Sequence, residues 1–288
     1  MSVEPEGTRA LVRLSLATAW RRRALWVWGA ALACTHQLVA LIFDRHRVEP
    51  EIRSGRSWVA TVTEAYERSI QATTLEDHAI SVLLYLLEVW LLVALTRAAL
   101  NVLQGRSPGP ILSSLRSRWK AILVFSAVFA TGTLLFDLVK CVSARGALIG
   151  FLLSTAWTFS LYLGIPVLAR EPATGLGAVR RAWMLIRLGW AKRLAGLFLI
   201  GVLSVGLWQA LALLLALAYQ FLARGSHEVP GWFPLYMALI RAPFLVVSMF
   251  FVVADQVFDA ALYTGLTEGA FPELPSGADP QAVWRARS

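Results

Sequence analysis

Four ionisable residues fall inside long apolar stretches of this chain: Glu88, Arg97, Asp255 and Asp259. A charge held at mid-bilayer costs about 2.5–3.5 kcal/mol or more, so such residues are retained for a purpose. Asp255 and Asp259 are four residues apart, which puts both carboxylates on one face of a helix. If their two spans run the same way, Arg97 reaches a depth similar to that of Asp259. A pair of Arg97 with Asp259 or Asp255 is therefore expected, because each charge then offsets the burial of the other. Two readings follow. In the functional one, Glu88, Asp255 and Asp259 form a path for a cation or proton. In the structural one, ion pairs fix which spans are neighbours, and the availability of Arg97 favours it.

The remaining residue types point to no reaction. There is no His-Glu-x-x-His, no Gly-x-Ser-x-Gly and no phosphate-cradling glycine loop. Gly175-Leu-Gly177 is a helix-start turn, too short for a dinucleotide fingerprint. His36 has no second ligand at metal spacing and reads as a packing residue. Cys34 and Cys141 both sit in apolar stretches, as packing thiols do, and no disulfide is expected. The sequence assigns no catalytic, cofactor or metal residue. A non-enzymatic protein without a cofactor is the expectation.

The elements that must position the four charges are membrane spans. About six apolar stretches cover roughly residues 24–43, 79–103, 121–142, 147–169, 194–223 and 236–264, and about 20 apolar residues cross a bilayer as a helix. With 57% hydrophobic and only 16% charged residues among 288, little chain is left to bury a soluble core. The fold expected is all-α, a polytopic helical bundle forming a single integral membrane domain over 1–288, with a cytoplasmic tail over 268–288. The apolar run after Arg21-Arg22-Arg23 continues past Cys34 to Phe43, as a span does and a cleaved leader does not.

Charge sets the orientation. The segment before the first span carries Arg9, Arg13 and Arg21–Arg23, the second loop Arg106, Arg116, Arg118 and Lys120, and the fourth the basic cluster from Arg170 to Arg193. The first loop, 44–78, is net acidic. Both termini are thus expected in the cytoplasm, with the chain in the cell's inner membrane. Net charge is +9, but the cations cluster beside span ends, where they meet anionic lipid rather than nucleic acid.

Each inside segment before an odd-numbered span reads as a basic amphipathic helix carrying a Trp: Leu11–Arg21 with Trp20, Ile111–Lys120 with Trp119, Ala178–Trp190 with Trp183. This suggests three hairpin repeats, 8–104, 108–170 and 175–267, each opened by an interfacial helix. The competing reading is that any cytoplasmic loop between spans is basic and aromatic. Arg21, Arg22, Arg23, Arg116, Arg118, Lys120, Arg180, Arg181 and Arg187 are the expected contacts to anionic lipid of the cytoplasmic leaflet. Pro166 and Pro243 are expected to interrupt spans four and six.

The stretch from Pro166-Val167 through Glu171 to Ala178-x-x-Arg181-Ala182-Trp183 and Trp190 resembles a recurring pattern in bacterial integral membrane proteins of unknown function. They are related to the membrane domain attached to some glycerophosphodiester phosphodiesterases. The pattern is Pro-Val, an acid a few residues on, then Ala-x-x-Arg-Ser-Trp and a later aromatic; Ala182 stands here in place of its Ser. The segment Phe258-Asp-Ala-Ala-Leu-Tyr263 is similar to the last span of those proteins. The resemblance implies a helical membrane domain. It supplies no activity, because the phosphodiesterase chemistry resides in a separate soluble domain.

Function is expected to be that of a scaffold, or of a membrane domain that binds lipid and a membrane or cytoplasmic protein partner. The alternative is a small transporter or channel using Glu88, Asp255 and Asp259. A thiol placed at Ser57 should react with an impermeant reagent from outside, and one placed at Ser117 only after permeabilisation; the reverse pattern would invert the orientation.

Overall fold

The computed structural model describes residues 5–44, 75–106, 111–140, 144–222 and 233–268. Most of the expected first outer loop with Ser57, and also Cys141 and the tail beyond Glu268, lie outside them. So do the side chains of His36, His78, Asp137, Lys140 and Arg241. Among the described residues the regular structure is helical: α1 (Pro5–Arg21), α2 (Arg23–Asp44), α3 (Leu75–Leu103), α4 (Ile111–Arg116), α5 (Trp119–Lys140), α6 (Ala144–Tyr162), α7 (Gly164–Arg170), α8 (Gly175–Leu222) and α9 (Phe233–Glu268). Lipid offers backbone groups no hydrogen-bond partner, so a spanning segment must satisfy them internally, as these helices do.

Five of the described stretches are long and apolar enough to cross a membrane: Val82–Leu103, Trp119–Phe136, Ile149–Arg170, Gly175–Leu214 and Ala242–Glu268. The first expected span is helical as α2 over 22 residues. The chain is a multi-pass membrane protein.

The helices form two compact units. One comprises residues 1–33, 95–109 and 188–288, the other residues 34–94 and 110–187. In the first, α8 and α9 run antiparallel. As the α8 partner advances from Gly189 through Arg193 and Gly196 to Trp208, the α9 partner recedes from Leu266 through Asp259 and Phe258 to Phe244. The contact spans about 28 Å at 1.5 Å per residue, close to the thickness of a hydrocarbon core. The seam closes because α8 presents glycine. A Cβ on Gly189 would lie 2.7 Å from Leu266, and one on Gly196 would enter the ring of Phe258. Gly29 of α2 meets Val253 and Met249 of α9 in the same way. Without water to expel, helices in lipid associate through such close packing and through polar contacts.

The segment around Trp20 is a helix, but not one lying free at an interface. Leu11, Val12, Leu14, Ser15, Thr18 and Ala19 of α1 are buried, and α1 packs along α9. Its apolar stripe is covered by protein, which leaves Arg9, Arg13 and Trp20 outside. The chain breaks at Arg22, where Trp26 Nε1 donates to Ala19 O at 2.6 Å and Trp20, Trp26 and Phe250 cluster with ring centroids 6.2–6.5 Å apart. The second expected interfacial helix is only the six-residue α4, and α5 begins at Trp119. The third is not separate: α8 runs unbroken for 48 residues. Residues 178–188 contain neither Gly nor Pro, and Ala178, Ala182, Leu185, Ile186 and Gly189 continue one buried stripe.

In the second unit α5 lies antiparallel to α6 and α7. Gly132 accommodates Trp157, Gly164 accommodates Phe125 with a would-be Cβ 2.5 Å from its ring, and Trp157 Nε1 donates to Phe129 O at 3.2 Å. Pro166 does interrupt its span. It removes the N–H that would reach the Tyr162 carbonyl, and α6 ends at Tyr162 with α7 restarting at Gly164. Pro243 does not: α9 is continuous through it.

Gly196→Ala should lower thermal stability in detergent by about 1–3 kcal/mol, the usual cost of overpacking. Gly201 has nothing within 4 Å of a would-be Cβ, so Gly201→Ala should be neutral or slightly stabilising. Equal effects of the two substitutions would contradict the glycine seam.

Candidate functional site

The polar centre of the first unit is built from α8, α9 and the end of α3. Arg193 Nε donates to Asp259 Oδ1 and its Nη2 to Asp259 Oδ2, both at 3.1 Å. The two side chains are 2% and 1% exposed, which makes this a buried, bidentate ion pair. The planar guanidinium fork matches the carboxylate and fixes both rotation and register of α8 against α9. One turn away on α9, Gln256 Oε1 accepts from Thr96 Oγ1 at 2.8 Å, tying α3 to the same helix.

The sequence points to Arg97 as the partner of Asp259 or Asp255. The cation that holds Asp259 is Arg193. The charge pattern places Arg193 in a loop, whereas α8 is one continuous helix that carries it inward. The available signal was spacing. Gly189, Arg193, Gly196 and Ile200 fall at intervals of four, three and four residues, and all are buried, so the small-residue seam carries the arginine inward. Arg97 is half-buried on the first unit's part of α3. Glu88, also half-buried on α3, belongs to the second unit.

Asp255 is drawn into the same cluster. It lies within electrostatic range of both Asp259 and Arg193, and its Oδ1 is buried with no hydrogen-bond partner among the described residues. The cluster thus brings together two carboxylates and one guanidinium, and Asp259 alone takes both donated hydrogen bonds.

In the second unit the basic residues fall into two sets. Arg116, Lys120, Arg180 and Arg187 are exposed, as are Arg21, Arg22 and Arg23 of the first unit. Arg118 is turned inward. Its Nη1 donates to Leu168 O at 2.9 Å and Glu171 O at 2.6 Å, and its Nη2 to Arg170 O at 3.3 Å. These are carbonyls at the C-terminus of α7, which the helix leaves unsatisfied and which favour a cation. Arg118 is thereby a helix cap. Arg181 approaches Glu171 at 3.8 Å, and Thr174 opens α8 by accepting the Gly177 N–H on Oγ1 at 3.1 Å. Gly175 lets that first turn touch α5, where a Cβ would lie 2.6 Å from Ala121 O. The sequence pattern from Pro166 to Trp183 is therefore a joint: helix end, charged clamp, cap and helix start. Ala182 is fully buried and faces Gly164.

A family model covers residues 77–271 of the 288, which includes this joint, α8 and α9. The chain belongs to that family, a family of unknown function, DUF6159. No curated protein and no solved structure matches it. The family match thus takes in both the buried cluster and the clamp, and α1 and α2 precede it.

Arg193→Lys keeps the charge but loses the fork, so it should reduce folded yield in membranes. Asp255→Asn removes a carboxylate that repels Asp259 and should leave yield unchanged or raised. Size-exclusion recovery of detergent-extracted protein measures both. A larger loss from Asp255→Asn than from Arg193→Lys would reverse the assignment of the two acids.

Proposed function

We propose that this DUF6159 protein is a non-enzymatic membrane scaffold. It sits in the bacterial inner membrane with both termini cytoplasmic, and binds anionic lipid and a protein partner through its basic face. The observation that carries the reading is the Arg193–Asp259 pair: a carboxylate held bidentately at 1% exposure is a structural lock. An acid on a transport path must instead bind and release its ion. The exposed cations Arg116, Lys120, Arg180 and Arg187 support the lipid part, since such residues beside span ends meet anionic headgroups. The resemblance of the Pro166–Trp190 stretch to the membrane domain joined to some phosphodiesterases supports the same kind of role, a membrane module serving chemistry located elsewhere.

A second reading, a small proton or cation transporter, rests on Asp255, whose buried Oδ1 has no hydrogen-bond partner among the described residues. Ionisable residues inside a bundle mark ion paths as well as structural pairs. Reconstitution separates the two. Proteoliposomes loaded with a pH-sensitive dye should show no flux above protein-free vesicles under an imposed potential or cation gradient. A flux that Asp255→Asn abolishes would replace the scaffold with the transporter.

A further inference from the structure

Beside the clamp in the second unit lies an open cavity of about 830 Å³, whose walls include Arg118, Lys120, Val124, Pro172, Gly175 and Leu176. From its position and chemistry we infer that it is a binding site for the phosphate headgroup of an anionic phospholipid. The inference rests on the lipid-binding part of the function proposed above and gives it a location.

The cavity has two kinds of wall. One is cationic. Arg118 is held in place by three carbonyl acceptors, and its side chain lines the cavity. Lys120 is exposed beside it, with Nζ 5.7 Å from the centroid of the Trp119 ring. The neighbouring acid, Glu171, approaches Arg181 at 3.8 Å. The other wall is apolar and open: Leu176 is 63% and Val124 42% exposed. Trp119 and Leu123, close by in sequence, are exposed too and lie in a stretch apolar enough to cross a membrane, where open apolar side chains meet acyl chains. A site that is cationic on one wall and opens onto lipid-exposed surface on the other fits a molecule with an anionic head and apolar tails. A wholly water-soluble anion would gain nothing from the Val124–Leu176 wall. The volume falls within the range of about 300–1,000 Å³ typical of small-ligand sites. The positive end of the α8 dipole, at Gly175, adds to the same field.

The test uses the full chain purified in detergent, with bound lipid counted by native mass spectrometry. Phosphatidylglycerol should bind at lower concentration than phosphatidylcholine. Lys120→Gln should weaken phosphatidylglycerol binding about five-fold, the size expected for one cation beside an anionic headgroup, and Lys120→Glu more. Arg187→Glu reverses an equally exposed cation that does not line the cavity and should change little. Equal losses at Lys120 and Arg187 would overturn the cavity while leaving general lipid binding intact. Equal binding of the two lipids to the unaltered chain would remove the lipid reading itself. Displacement of phosphatidylglycerol by millimolar glycerol phosphate would show a site for soluble phosphate and would also overturn the proposal. Lys120 is exposed, so neither substitution should disturb folding; loss of the Arg118 clamp would, and Arg118 is left unaltered.

Discussion

A charge or hydrogen-bonding group placed in hydrocarbon gains most from a partner within the protein, and that constraint organises the Arg193–Asp259 and Thr96–Gln256 contacts. Asp259 is met by both arms of Arg193, and Thr96 by Gln256. Smaller hydroxyls turn back on their own helices: Ser15 donates to Leu11 O, Ser126 to Ile122 O, and Thr133 to Phe129 O, at 2.8, 2.8 and 3.0 Å. A carboxylate and a guanidinium cannot satisfy themselves in this way. They must reach another helix, so the charged pair carries information about which helices are neighbours. Removing one partner of a buried pair costs about 3–5 kcal/mol, while replacing both with apolar residues is often close to neutral. The pair is therefore a specifier of register rather than a large source of stability.

The same register is enforced a second time by shape. Gly189 and Gly196 flank Arg193 on α8, four residues before and three after it, and bring the helix backbones close enough for the short fork to reach across. Larger residues there would hold α8 and α9 apart and leave both charges without a partner. Charge and packing thus agree on one arrangement, which is what a sequence needs in order to specify a single structure. In the second unit the corresponding agreement lies between Gly175, which admits the first turn of α8 against α5, and Arg118, which pins the end of α7 beside it.

Much of this was legible in the residues, for physical reasons. Spans announce themselves because about 20 apolar residues in a row have few other uses, and Pro166 ends α6 through the one hydrogen bond it cannot make. The role of the basic residues was harder to read. Composition makes Arg118, Arg193 and Lys120 alike, yet one caps a helix, one is buried against an aspartate and one is exposed. The difference lies in which helix face each occupies, and that depends on where a helix starts and stops. Because α8 runs through the segment that appeared to be a loop, Arg193 moved from the membrane surface to the interior and displaced Arg97 as the partner of Asp259. Likewise the apolar stripe of α1 looks the same whether lipid or α9 covers it. Amphipathicity tells that a face is covered, not by what.

The central claim is that the Arg193–Asp259 pair fixes the register of α8 on α9. A double-mutant cycle tests it most directly, with thermal stability in detergent measured for Arg193→Leu, Asp259→Leu and the two together. Each single change should destabilise by about 3–5 kcal/mol, and the double should recover most of that loss. A double mutant as unstable as the sum of the two singles would show that the residues act independently, and the pair would not be what holds the two helices in register.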